Sequence, residues 1–228
     1  MTVELEFVGA AGEVTGSMYV LRTGEHTILL ECGLIQGSKS AELRNADPFP
    51  FAVDEVDAVV LSHAHIDHSG RVPLLFKRGY KGPVYTQNAT RALCEIMLPD
   101  SGYLNEKDAE WRNKRRRADG KPRVEPLYTL DDARNCLQLF DSVRYEEPVM
   151  ITPGATATFH DAGHILGSSI VELDFTNGGD ARKLVFSGDL GFRDAPVMNP
   201  PAALQVADIV LMESTYGDRL HRPFDETI

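Results

Sequence analysis

The chain has 228 residues, 43% hydrophobic and 25% charged, a composition that suits an ordinary globular domain with a sizeable core. Its formal net charge of −11 excludes a protein that grips nucleic acid with its whole surface, but not one with a local basic site. No stretch approaches the roughly 20 apolar residues needed to span a bilayer, and the opening MTVELEFVGA lacks the basic-then-apolar order of a signal peptide.

In chain order, Val3 to Val8 alternates apolar and acidic residues as a half-buried strand does. Ser17 to Leu21 and Thr27 to Leu30 read as the next strands, joined by a turn at Thr23-Gly24-Glu25. Asp47-Pro48-Phe49-Pro50 breaks regular structure, and the apolar run Val56 to Leu61 fits a fully buried strand. Helical spacing follows over Ser69 to Arg78 and Ala89 to Leu98, then helix formers over Glu106 to Arg117. A helix over Leu130 to Leu139 has Thr129 as its cap. After Pro153-Gly154 the strand pattern returns over Ala155 to Phe159, Ser169 to Phe175, Lys183 to Ser187 and Ile209 to Met212, with Asn177-Gly178-Gly179-Asp180 as a hairpin turn. Strands, then helices, then strands predict an α/β fold with two sheets and helices packed outside. The three cysteines, Cys32, Cys94 and Cys136, match neither a zinc ribbon nor a CxxC motif, which predicts buried, reduced thiols in a cytoplasmic protein.

The chemistry concentrates in Ser62-His63-Ala64-His65-Ile66-Asp67-His68-Ser69-Gly70, which holds three of the seven histidines directly after a predicted strand. Three imidazoles beside a carboxylate are a poor way to build a core and a good way to bind a metal such as zinc. His63 and His65, two apart on an extended turn, can face one ion, and Asp67 and His68 a second. One cluster cannot fill two coordination spheres. His164 in DAGHILGS and Asp189 in FSGDLG both follow a predicted strand and a glycine that lets the backbone turn, and are the candidate remaining ligands.

Together, HAHIDH, His164 and Asp189 resemble the successive ligand motifs of metallo-β-lactamase-fold hydrolases. Gly9-Ala10-Ala11-Gly12-Glu13-Val14-Thr15-Gly16-Ser17, DAGHILGS and Glu213-Ser214-Thr215-Tyr216-Gly217-Asp218 resemble the signatures of its β-CASP group, which includes RNase J and the messenger-RNA 3′-end cleavage endonuclease. The resemblance implies an αββα four-layer sandwich and a zinc-dependent phosphodiester hydrolase acting on single-stranded RNA. It places His63, His65 and His164 on a first zinc, Asp67 and His68 on a second, and Asp189 between the two. It implies a water activated between the ions, with Asp67 and Glu213 in catalytic roles, Glu213 supporting proton transfer to the leaving group. Where the group usually has Asp, this chain has Glu31, in Leu30-Glu31-Cys32-Gly33; the resemblance puts it behind the ligands, orienting their rings.

The resemblance also implies a metallo-β-lactamase domain over residues 1–208 and the opening of a β-CASP insertion over 209–228, so that the fold would be incomplete at its C-terminal end. The second zinc would then draw only Asp67, His68 and Asp189 from this chain, and an uncovered sheet edge would invite a homo-oligomer. Lys114, Arg115, Arg116 and Arg117, close to Trp111, are candidate RNA contacts. The alternative, a solvated helix face pairing with Glu106, Asp108 and Glu110, is preferred on frequency. Rival readings are a glyoxalase II-like thioesterase or lactonase, a di-iron oxidoreductase, and an inactive metal-binding module.

Overall fold

The computed structural model describes residues 3–219 apart from Glu25 and Asp194. β1 (Glu4–Gly9), β2 (Met18–Arg22) and β3 (Thr27–Leu30) run antiparallel. β4 (Ala58–Val60), β5 (Val84–Gln87) and β6 (Phe140–Val143) continue the sheet with parallel pairings, in the order β1-β2-β3-β4-β5-β6. The connections carry α1 (Lys39–Leu43), α2 (Ile66–Ser69), α3 (Val72–Lys77), α4 (Asn88–Ala118) and α5 (Leu130–Cys136). A second sheet, in the order β11-β10-β9-β8-β7, is formed by β7 (Val149–Thr152), β8 (Ala155–Asp161), β9 (Ser169–Asn177), β10 (Asp180–Phe186) and β11 (Ile209–Leu211).

The period-two alternation of the strands divides the interior into two cores. From the first sheet, Met18, Val20, Leu29 and Val59 face the helices and meet Leu75, Cys94, Leu98 and Ala133. Their neighbours Tyr19, Leu21, Ile28, Leu30 and Val60 face the second sheet and meet Phe159, Val171, Leu173, Phe175 and Phe186. β4 is therefore buried on both sides, as its unbroken apolar run predicts. The fold is α/β as expected. Among the described residues helices cover one outer face only, while the outer face of the second sheet carries a small cluster in which Leu190 and Leu204 lie on Ala162, Ile170 and Val185.

Several element boundaries differ from the sequence expectation. The two helices expected over Ala89–Leu98 and Glu106–Arg117 are one helix, α4, which runs through Pro99. Its buried positions Cys94, Leu98, Gly102 and Ala109 lie on one stripe, and that packing outweighs the amide Pro99 lacks. The helix expected over Ser69–Arg78 divides at Arg71, whose amide and side chain both turn back to the carbonyls of Cys32 and Gly33. α5 has the expected Thr129 cap, closed reciprocally by Asp132, but tightens to a 3-10 turn over Leu137–Leu139. β5, β6, β7 and α1 escaped the sequence reading because runs of four or five mixed residues show no clear period. Thr23 and His26 close the first hairpin; Glu25 of its predicted turn lies outside the described residues. β11 lies past the expected boundary at 208, yet it pairs with β10 and sends Leu211 into the inter-sheet core. Residues 220–228 of the expected second segment lie outside the described residues.

Phe159 is fully buried between the sheets. Phe159→Ala should lower unfolding stability by about 3–5 kcal/mol, read as a shift of the denaturant midpoint; a loss below about 1 kcal/mol would mean that the sheets do not close on this ring.

Candidate metal centre

Every singled-out acid and histidine except Asp67 and His68 leaves the carboxyl end of a strand. Glu31 follows β3 directly, and His63 and His65 lie on the extended segment after β4, with His65 as the N-cap of α2. Asp67 and His68 lie within α2. In the second sheet, β8, β10 and β11 run in the same direction, and His164, Asp189 and Glu213 stand in the segments that leave them. Gly163 and Gly188, each one residue ahead of a candidate ligand, have φ of 66° and 52°, the left-handed turn their position in the motifs predicts. Gly191 lies so close to the His164 loop that a Cβ there would sit 1.7 Å from the Gly163 carbonyl oxygen. The two loops of the second sheet thus interlock. Ser169, at the start of β9, donates its amide to the Ser62 carbonyl at 2.9 Å and joins them to the first sheet.

This brings His63, His65, His164 and Asp189 together, with one donor atom from each lying within 4.8 Å of the others. His63 Nε2 is 3.0 Å from His65 Nδ1, and His164 Nε2 is 3.2 Å from the same atom. Asp189 Oδ2 is 3.7 Å from His63 Nε2 and 3.6 Å from His164 Nε2. Donors about 2.0–2.1 Å from one tetrahedral ion are separated by about 3.3 Å. The spacings found bracket that value, so the four side chains fit a zinc-sized ion. Burial, then the neighbouring His68, His65 and His164, holds the His63 imidazole well below its ordinary pKa; burial and His164 lower that of His65. Low basicity keeps each ring neutral, with one nitrogen free to bind a metal.

The other Asp189 oxygen, Oδ1, lies 3.3 Å from His68 Nε2, and Asp67 Oδ2 lies 3.9 Å from the same nitrogen. Asp189 thereby faces both groups of donors. Behind His68 stands Glu31, which has no solvent exposure and adopts a left-handed φ of 61°. Its Oε2 is 3.0 Å from His68 Nδ1, and its Oε1 accepts the Ser62 amide at 2.6 Å. The extra methylene relative to Asp is absorbed, and the carboxylate reaches both an imidazole and a backbone donor. Burial opposes a charge on His68, but hydrogen bonds to Asp189 and Glu31 overcome it and push the ring up to about 10. Burial raises Glu31 as well, against the lowering effect of His68 and Ser62.

Glu213 does not join either group of donors. Its Oε1 accepts the Leu190 amide at 2.7 Å, and its own amide donates to Ser187 Oγ at 3.1 Å, so it clamps both sides of the Asp189 turn. It also lines an open cleft of about 700 Å³ together with Asp67, His164, Asp189 and Tyr216. Arg193 is the one cation lining that cleft among the described residues; the motif reading stopped at Gly191 and passed over it. Lys114, Arg115, Arg116 and Arg117 do not line the cleft. They stand at the far end of α4, with Arg115 about 38 Å of helix beyond Thr90, whose hydroxyl touches the His164 loop at Gly167. Two of the pairings expected of a solvated face are present, Lys107–Glu110 at 3.0 Å and Arg112–Asp108 at 3.4 Å. The three cysteines are free and buried, as expected.

Two outcomes follow from this geometry. Glu31→Ala should weaken metal binding by about 10–100-fold, because His68 loses the group that orients it; unchanged affinity in a metal titration would separate Glu31 from the centre. Since the folded pKa of His68 is raised, a metal at its Nε2 must displace a proton. Affinity at that position should therefore climb between about pH 7 and pH 9, with proton release measurable by calorimetry in buffers of different ionisation enthalpy. A flat profile would mean that His68 is neutral before the metal arrives.

The chain matches the Metallo-beta-lactamase superfamily profile over residues 11–226. It is 43% identical over 220 residues to the protein named ribonuclease TTHA0252 of Thermus thermophilus, covering 96% of this chain and 45% of that one. It is 30% identical over 216 residues to the transcription termination factor FttA of Methanocaldococcus jannaschii, covering 94% of this chain and 32% of the relative. The chain thus spans less than half the length of these relatives. Among solved structures, the subclass B3 metallo-β-lactamase BJP-1 of Bradyrhizobium japonicum superposes with a TM-score of 0.52 over 91% of this chain and 74% of that one, at 19% identity, a likeness of fold. Two facing sheets, donor side chains at the carboxyl ends of their strands and a profile match across nearly the whole sequence give one conclusion: the chain belongs to the metallo-β-lactamase superfamily.

Proposed function

We propose that this chain is the metal-binding part of a zinc-dependent phosphodiester hydrolase of the β-CASP group, acting on single-stranded RNA in the cytoplasm. The observation that carries the reading is the convergence of His63, His65, His164 and Asp189 at zinc-compatible spacing in a chain with a ribonuclease-named relative at 43% identity. In this reading His63, His65 and His164 would hold the first ion and Asp67 and His68 the second, with Asp189 facing both groups of donors. When bound, a metal pair supplies an activated water and offsets charge on the phosphoryl oxygens.

The chain's own residues do the rest. Asp189 keeps the two groups of donors in register through its two oxygens. Glu31 fixes the His68 ring and the Ser62 turn from behind. Glu213, on the cleft wall beside Asp189, is placed to pass a proton toward a leaving group while it clamps the turn that carries Asp189. Because β11 belongs to the second sheet and Glu213 is tied to it, the start of any inserted segment is best placed after Glu213 rather than after residue 208.

The test is cleavage of labelled single-stranded RNA by the zinc-loaded protein, with a thioester assayed in parallel. RNA should be cut, and His63→Ala should reduce the rate by far more than the roughly 100-fold of a change outside the ligand set. Turnover of the thioester alone would move the reading to a glyoxalase II-like hydrolase, and bound metal with no turnover of either to a binding module.

A further inference from the structure

We propose that the exposed face of α4 is a track for single-stranded RNA that leads to the cleft; the inference rests on reading the centre as that of an RNA hydrolase. Tyr103, Lys107, Trp111, Lys114 and Arg115 are spaced by three or four residues and share one face of the helix. That face is opposite the buried stripe of Cys94, Leu98, Gly102 and Ala109. Tyr103 and Trp111 are 47% and 53% exposed, which is unusual for large aromatic rings without a partner to meet. The Arg115 guanidinium lies 5.0 Å from the Trp111 ring centre, while Lys107 Nζ lies 5.5 Å from that of Tyr103 and pairs with Glu110 at 3.0 Å. A ring that can stack a base thus has beside it a cation that can meet a phosphate, the combination that binds single strands without regard to sequence.

Charge sets this face apart from the rest of the chain. Against a net charge of −11, residues 112–123 hold seven Lys or Arg and a single acid, Asp119. The bland account is that these cations pair with neighbouring acids or offset the helix dipole. It covers part of them: Arg112 pairs with Asp108, Lys121 pairs with Asp119, and Arg116 donates to the Pro122 carbonyl at 2.6 Å. Lys114, Arg115, Arg117 and Arg123 form no ion pair with a described carboxylate. A helix end presents only about half a charge, and the amide of Asp119 already caps its last carbonyls. Four cations remain beyond what the fold requires.

The face is also continuous with the cleft. Trp111 walls a hollow that it shares with Leu43 and Leu34. Arg44, next to Leu43, grips Glu13 through two hydrogen bonds of 2.8 and 2.7 Å, and Val14, next to Glu13, lines the cleft. A strand lying along α4 can therefore cross this ridge and reach Asp189 without passing through the core. The rings beside the cations, with seven Lys or Arg against one acid over residues 112–123, favour a single-stranded nucleic acid, which offers both bases to stack and phosphates to pair.

The test uses the purified metal-loaded protein and a labelled oligouridine, with anisotropy read by stopped flow before cleavage. Trp111→Ala should weaken binding about fivefold or more, and Trp111→Phe should restore most of it. The combined Lys114→Ala, Arg115→Ala and Arg117→Ala variant should flatten the log–log salt dependence by about two units. Arg144→Ala, beside Asn88 at the opposite end of α4, should change neither, and all variants should melt with the parent. Unchanged affinity and salt slope, with cleavage intact, would overturn the track while leaving the hydrolase reading in place. Absence of cleavage with the expected binding losses would do the reverse. An equal loss on duplex RNA in Trp111→Ala, or competition by polyglutamate as effective as by RNA, would also overturn it, the first by removing base stacking and the second by pointing to an acidic polypeptide.

Discussion

A carboxylate with no exposure to water holds the centre together. Glu31 lies at the end of β3, and its two oxygens reach forward to the Ser62 amide and to the His68 ring. A buried charge of this kind is tolerated only if its oxygens are satisfied, so the segment from Ser62 to His68 cannot move far without leaving it unpaired. The left-handed backbone at Glu31 has the same consequence. Such a conformation is strained for a residue with a long side chain and persists where its surroundings fix it. The orientation of His68, and through it that of Asp189, is set from underneath rather than by the ion alone.

The second constraint is the close approach of loops. Imidazoles at 3.0 and 3.2 Å from one another gain little without an ion or proton between them, so the protein must hold them together by other means. It does so with main chain. Ser69 Oγ donates to the carbonyls of Ala64 and His65, the Ser62 carbonyl accepts from the far sheet, and the glycine-rich turns of the second sheet nest against each other. None of these contacts involves a donor side chain of the metal centre. They support the donors through main-chain contacts, as a tight metal site requires.

The centre and the basic end of α4 divide the electrostatics of the molecule. An acidic chain with several carboxylates around its cleft repels a polyanion in general. Binding of such a substrate then depends on where the exceptions lie. Arg193 on the cleft wall and the unpaired cations near the end of α4 are two such exceptions among the described residues.

Much of the centre was legible in the sequence because its determinants are local. Three histidines within six residues, and glycine placed directly ahead of His164 and Asp189, state their chemistry and their backbone turn without reference to anything distant. The alternation of β8 and the apolar run of β4 were legible for the same reason. The short strands β5, β6 and β7 were not, since four-residue segments acquire their identity from the neighbours that pair with them. Nor was the continuity of α4 across Pro99, where local propensity argues for a break and burial of one stripe on the core decides otherwise. The sequence by itself determined which residues can bind a metal. Tertiary structure decided that Asp189 faces two groups of donors, that Glu213 clamps a turn and that residues 114–117 stand apart from the cleft, because each depends on distances between segments far apart in the chain, and periodicity carries no information about those.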